Sequence, residues 1–222
     1  EIEEDFHKSN IAPDKLTEIC KQIIFKITEL TEQTMEQTME LGVEQLNKDL
    51  LKMMRRKEGM IRKSDVILVY RKMINTGEIS KNITVWSLFQ KCKTRNISGV
   101  CVITLLLDPF PDGQRFSCKH NCYYCPNEPA HKGNGWQAQP RSYLFNEPAV
   151  LRANQHKFYA IGQMLNRLDT YYSNGHVPDK LEIIVEGGTF TEYPVDYLQR
   201  YHRDLFYSAN IYFDLREVFP EY

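Results

Sequence analysis

Long apolar runs are missing from these 222 residues. The longest, GVCVITLLL at 99–107, has the length of one strand, against the ~20 residues that a membrane helix needs. No opening stretch reads as a secretory leader, so Asn-Ile-Thr at 82–84 and Asn-Ile-Ser at 96–98 are expected to be chance matches to the glycosylation pattern. A dominant charge is missing as well. With 28 Lys and Arg against 29 Asp and Glu, the net charge is −1 and bulk electrostatics names no partner. There is no long internal repeat, since EQTMEQTM at 32–39 is too short to be a structural unit. The expectation is a cytoplasmic chain with no membrane association, in a reducing compartment where disulfides are rare and grouped cysteines bind metal or do chemistry.

What is present is unevenly distributed. Residues 1–47 are acidic, with only four lysines. Residues 48–95 carry 13 Lys and Arg against four acids, including Arg55, Arg56, Lys57, Arg62, Lys63, Lys91, Lys93 and Arg95. Such asymmetry points to a polyanion partner, while a solvated helical face explains the same residues.

The pattern divides near residue 98. From 12 to 57 the chain reads as helices. Leu16, Ile19, Cys20, Ile23, Ile24 and Ile27 recur at three- and four-residue spacing, and Pro13 and Asp14 suit a helix start. SDVILVYRKMI at 64–74 reads as another helix with Ser64 as its cap. GVCVITLLL is β-branched and bounded by turn residues, so a buried strand is expected. A helix is read from Pro148 to about Tyr172, a second strand at LEIIV (181–185), and a last helix from Pro194. Strand, loop, helix, strand, loop, helix is the repeat of a parallel α/β sheet. The expected organisation is a helical N-terminal region over 1–97, then an α/β region over 98–222. Two βα units cannot close a barrel, so a part of a longer protein is expected.

Six cysteines are present; Cys20, Cys92 and Cys101 are scattered, while Cys118, Cys122 and Cys125 fall within eight residues of RFSCKHNCYYCPNE. Three readings compete. A structural zinc takes four ligands, and His120 or His131 would complete a Cys3His set. A reactive or plain surface loop explains one or two thiols. An iron–sulfur cluster held by three cysteines keeps one iron open for another ligand. Both unusual loops, this one and EGGTF at 186–190, follow the carboxyl ends of the strands, where chemistry collects in such folds.

C-x3-C-x2-C after the first strand, with Tyr124 before the last cysteine, resembles the radical S-adenosylmethionine (SAM) superfamily. SGVCVITLL, CYYCPNEP, NEPAVLRA, GHVPDKLEIIVEGGTF and YPVDY together resemble the catalytic subunit of Elongator and its stand-alone relatives, from about residue 55 onward. The resemblance implies the start of a partial radical-SAM (βα) barrel. It also implies formation of 5-carboxymethyluridine at the wobble position of tRNA from acetyl-CoA and SAM. Cys118, Cys122 and Cys125 would then ligate a [4Fe-4S] cluster, and Gly187, Gly188 and Thr189 would form the SAM-binding turn with Tyr124 nearby. Lys180 matches a lysine assigned to acetyl-CoA contact and is the catalytic candidate. The basic residues named above would meet the tRNA backbone by releasing counterions, and Arg141, Arg152, His156 and Lys157 are candidate helpers. Other Elongator-type subunits are the implied protein partners. Eukaryotic members space the first two cysteines wider, and the acetyltransferase-like domain that members carry downstream lies outside these residues. The competing class is a non-catalytic module that binds tRNA or a partner and keeps an iron–sulfur or Cys3His zinc site as a staple.

Overall fold

The computed structural model describes residues 11–34, 39–56 and 59–218. They divide into two compact units, one of the described residues up to 97 together with 171–177, the other of residues 98–170 together with those from 178 onward.

The first unit is built on four helices, α1 (Pro13–Thr34), α2 (Met39–Met54), α3 (Lys63–Asn75) and α4 (Ile83–Phe89). The 3.6-residue periodicity of α1 puts Cys20, Ile23, Ile24 and Ile27 into one core with Leu50 and Met54 of α2, Val66, Ile67, Tyr70 and Met73 of α3, and Val85, Leu88 and Phe89 of α4. Each such fully buried side chain contributes about 1.5–3 kcal/mol of transfer free energy. The helical reading of 12–57 ends early, because Arg55–Arg56 (β1) pairs antiparallel with Gly59–Met60 (β2).

Ser64 is not the cap of α3. It lies inside the helix, whose first turn is closed by Asp65, which accepts from the backbone N–H of Arg62 at 3.1 Å. Asn82 caps α4 by accepting from Thr84 N and Val85 N at 2.9 and 3.2 Å, a role that accounts for an Asn in this triplet.

In the second unit β3 (Cys101–Leu106) and β4 (Leu181–Glu186) pair in parallel, with Cys101 opposite Leu181 and Leu106 opposite Glu186. A parallel pair requires a crossover, here carried by α5 (Pro148–Gln155) and α6 (Ala160–Ser173); α7 (Val195–Val218) follows β4. The architecture is therefore mixed helical with a two-stranded parallel sheet, in the α/β class. The single helix read over 148–172 is two. Lys157 and Phe158 both take left-handed backbone (φ +48° and +58°), and Phe158 is buried, so side-chain anchoring offsets the strain that breaks the helix.

The edge of β3 away from β4 is closed by a side chain. Buried Gln163 of α6 accepts from Leu106 N at 3.0 Å and donates to Leu106 O at 2.9 Å, and Tyr201 of α7 donates to the same carbonyl at 2.9 Å. An amide thus supplies what a neighbouring strand would, where an orphan buried N–H would cost ~1–3 kcal/mol. Among the described residues no helix is long and apolar enough to cross a membrane.

Candidate functional site

The loops that leave the carboxyl ends of β3 and β4 meet. The thiol loop starts beyond Asp108 and Gly113, and the Gly187–Gly188 turn follows Glu186 directly. A Cβ built on Gly188 would lie 2.9 Å from the Ser117 carbonyl oxygen, a distance that only glycine tolerates. Cys118 Sγ sits 3.3 Å from Thr189 Oγ1. The first thiol and the glycine turn are therefore neighbours, joined through backbone.

Two phenols clamp the turn. Gly188 N donates to Tyr193 Oη at 3.3 Å, and the Tyr143 hydroxyl is hydrogen-bonded to the Gly187 backbone. Burial pushes Tyr193 up to about 12 and Tyr143 upward as well, so both are neutral and able to accept from backbone N–H at ordinary pH. The Tyr193 hydroxyl also bonds the Ser117 side chain, and Ser117 Oγ accepts from Arg141 N at 2.9 Å. On the outer side, Lys119 pairs with Glu192 at 2.8 Å and His120 lies 4.0 Å from the same carboxylate. Such exposed pairs contribute little stability but fix where the loop runs.

The three thiols are all free. Cys118 is buried, Cys125 half-buried and Cys122 exposed, with Cys125 N donating to Cys122 O at 3.1 Å in a tight turn. Their side chains are on one loop without being converged: among the described residues no three His, Cys, Asp or Glu groups are gathered to hold a metal ion. By chemistry alone, three soft thiols are the donor set that an iron–sulfur cluster takes, and here they stand in a segment without helix or strand. His131 is engaged elsewhere. Its Nε2 bonds Glu128 at 3.0 Å and its Nδ1 accepts from Gly133 N at 3.0 Å. Glu128 also accepts from Phe145 N at 2.8 Å and Asn134 Nδ2 at 3.1 Å, which orders the long AHKGNGW segment around it.

Tyr124, expected near SAM, is 86% exposed on the thiol loop. Lys180 is exposed and stands at the amino end of β4, where its carbonyl accepts from Cys101 N at 2.8 Å. Six residues of extended chain, Leu181–Glu186, lie between it and Gly187, a span on the order of 20 Å. It is not brought to the thiol loop.

Of the basic candidates, Lys57 lies outside the described residues, as does the side chain of Arg56. Arg55, Lys91, Lys93 and Arg95 are exposed. Arg62 is exposed too but is forked onto Asp65, at 2.8 and 3.1 Å, which raises its pKa. Lys63 is half-buried and donates to Leu88 O; burial first, then the charges of Lys93 and Lys91, lower its pKa. Lys63, Lys91 and Lys93 therefore share one neighbourhood. Sequence reasoning missed the stack beside them, in which the Arg71 guanidinium lies 4.6 Å from the Trp86 ring and 4.0 Å from the Tyr172 ring, with Lys81 4.7 Å from Trp86. It also missed Ser117, Tyr143 and Tyr193, which only long-range packing brings to the glycine turn. Arg141, a candidate RNA contact, is instead buried against Ser117.

No protein-family profile matches the chain. It is 33% identical over 117 residues to tRNA uridine(34) acetyltransferase of Dehalococcoides mccartyi, covering 53% of this chain and 22% of that protein. It is 30% identical over 145 residues to the protein of the same name from Methanocaldococcus infernus, covering 61% and 26%. To Elongator complex protein 3 of Homo sapiens it is 30% identical over 111 residues, covering 50% and 20%. The chain is thus a relative of these proteins over about half its length, and spans about a fifth to a quarter of theirs.

Proposed function

We propose that this chain forms the cofactor loop and an RNA-binding face of a radical-SAM enzyme that builds 5-carboxymethyluridine at the wobble position of tRNA from acetyl-CoA and SAM. The observation that carries the reading is the meeting of a three-thiol loop with the Gly187–Gly188 turn at the carboxyl ends of two parallel strands. The relation to proteins named as tRNA uridine(34) acetyltransferases supplies the substrate class.

Cys118, Cys122 and Cys125 would hold a [4Fe-4S] cluster, which supplies the single electron that SAM cleavage requires. The chain's own residues do the rest. Gly187 and Gly188 would present backbone to the SAM amino group; the space their Cβ atoms would take is filled by Tyr193, Leu107 and Ser117, so the missing side chains let the two loops close into that turn. Tyr143 and Tyr193 hold that turn in one conformation, so its polar groups are set before the ligand arrives. Tyr124, exposed on the loop, has a ring free to stack against the adenine. Lys180 presents an ammonium at the amino end of the sheet, suited to a phosphate at the nucleotide end of acetyl-CoA and remote from the reacting carbon. Lys91, Lys93, Arg95 and Arg55 are exposed and would meet phosphates of the tRNA backbone, while base selection requires an unstacked anticodon nucleotide. Association with other Elongator-type subunits belongs to the same reading.

Anaerobic purification with iron and sulfide analysis tests it. About four irons and four sulfides per chain, with visible absorbance that SAM perturbs, are expected. One zinc with no sulfide would replace this reading by a non-catalytic module, and loss of all iron in the Cys122→Ala variant ties the metal to the loop.

A further inference from the structure

Arg141 is a charged side chain placed where charge is costly. It is 9% exposed, on the segment that closes the long loop, and its backbone is fastened to Ser117, the residue before Cys118. Its guanidinium donates from one terminal nitrogen to Asn121 Oδ1 at 3.1 Å and lies 5.4 Å from the Phe116 ring. Asn121 is the residue before Cys122, so this cation sits against the stretch that carries the first two thiols. Its Nε is buried without a hydrogen-bond partner. Among the described residues no carboxylate pairs with it, and Glu192, the carboxylate beside the thiol loop, neutralises Lys119 instead. A buried cation facing only an amide and a ring, with one N–H orphaned, is unfavourable unless an anion arrives.

The loop's own chemistry supplies one. Thiols give up their protons when they bind metal, and a four-iron cluster carried by three thiolates is a net anion that becomes more negative on reduction. We infer that Arg141 is the fixed counter-charge of the three-thiol loop, holding the anionic cluster and favouring its reduced form. It is a positioning residue, not a catalytic one. Asn121 aims the guanidinium, Phe116 shields it from water, and Ser117 locks its backbone. This rests on the iron–sulfur reading above.

The test is a redox titration of the anaerobically purified protein, wild type against Arg141→Gln and Arg141→Lys, monitored by the reduced-cluster electron paramagnetic resonance signal with and without SAM. In Arg141→Gln, iron and sulfide stay near the wild-type content. Its reduction is disfavoured by about tenfold, a midpoint drop of ~59 mV for one electron, and Arg141→Lys recovers most of the difference. Equal midpoints in wild type and Arg141→Gln, both loaded, overturn the inference. So does a shift seen only with SAM present, which assigns the guanidinium to the SAM carboxylate. If Arg141→Gln does not fold, Arg141→Met, whose apolar stem fills the same space, carries the comparison. Failure of both neutral variants to fold overturns the inference, because the cation then serves the fold. A wild type without iron or sulfide refutes the function reading, which is a separate result.

Discussion

Gly188→Ala isolates the joint between the two loops. The Gly188 backbone lies outside the left-handed region, so alanine brings no φ penalty, and the whole effect is the volume of one methyl. That methyl would meet Ser117 O at 2.9 Å and Ser117 C and Oγ at 3.2 Å, and must move from 2.9 Å toward the 3.4 Å of ordinary contact. The obstacle is backbone at a fully buried residue whose Oγ is held by Arg141 N, so no rotamer change relieves it. Overpacking of this kind costs about 1–3 kcal/mol. At a urea m-value of roughly 2 kcal/mol/M, a loss of about 2 kcal/mol lowers the midpoint by ~1 M. Ser117 leads directly into Cys118, so the same displacement moves a thiol, and iron content should fall along with stability. At Gly77 a Cβ meets nothing within 4 Å, but the backbone is left-handed (φ +74°), so Gly77→Ala should lower stability through strain and leave iron unchanged. Urea melts and iron assays on both variants decide the matter. A Gly188→Ala protein with wild-type midpoint and wild-type iron refutes the close approach on which the site is built.

Three other outcomes follow from particular side chains. Lys91→Glu with Lys93→Glu should weaken binding of a tRNA and flatten the slope of log K against log salt by roughly 0.7–0.9 for every phosphate no longer neutralised; an unchanged slope removes both lysines from the RNA face. Gln163→Met leaves Leu106 N–H buried without an acceptor, and its denaturation should show a loss of about 1–3 kcal/mol; a neutral result would mean that water or another acceptor closes the strand edge. Burial, with the Asp65 charge adding, pushes the Cys20 thiol from 9.0 up to about 12. Its folded pKa lies above the unfolded one, so the stability it carries is complete below about pH 9 and is lost as pH rises toward 12, up to about 4 kcal/mol at 1.36 kcal/mol per unit. Cys20→Ala should therefore lose less stability than wild type between pH 9 and 12, and parallel curves would place that thiol in water.

Local chemistry is legible in the sequence wherever a single segment decides the outcome. The β-branched run before Asp108 reads as a strand and is one, and the spacing of Ile23, Ile24 and Ile27 marks the buried face of α1. Reading fails where a distant group decides. Nothing in QHKFYA announces a helix break, since its residues are tolerable in helices; buried Phe158 holds the left-handed pair in place. Ser64 looks like a cap because it precedes an apolar run, but Asp65 reaches back to Arg62 and starts the helix one residue earlier than Ser64. Arg141 reads as one more surface cation in a polar loop, and only packing against Ser117 and Phe116 makes it a buried charge. The thiols and glycines carry their chemistry in residue type, while the tyrosines that clamp them carry it in position.

The two ends of the sheet keep the two proposed contacts apart. Parallel strands put every following loop at one end, so Ser117, Cys118, Gly187, Gly188 and Thr189 arrive together from residues about 70 positions apart. Lys180 precedes β4 and is carried to the other end by the same register that pairs Cys101 with Leu181. A group on the order of 20 Å from the glycine turn cannot share a reacting atom with it. The proposed acyl-donor contact at Lys180 would therefore act on binding alone, and Lys180→Ala should raise the apparent KM for acetyl-CoA while leaving kcat and SAM affinity at wild-type values. A fall in kcat with unchanged KM would place the ammonium at the reacting carbon and contradict the strand register.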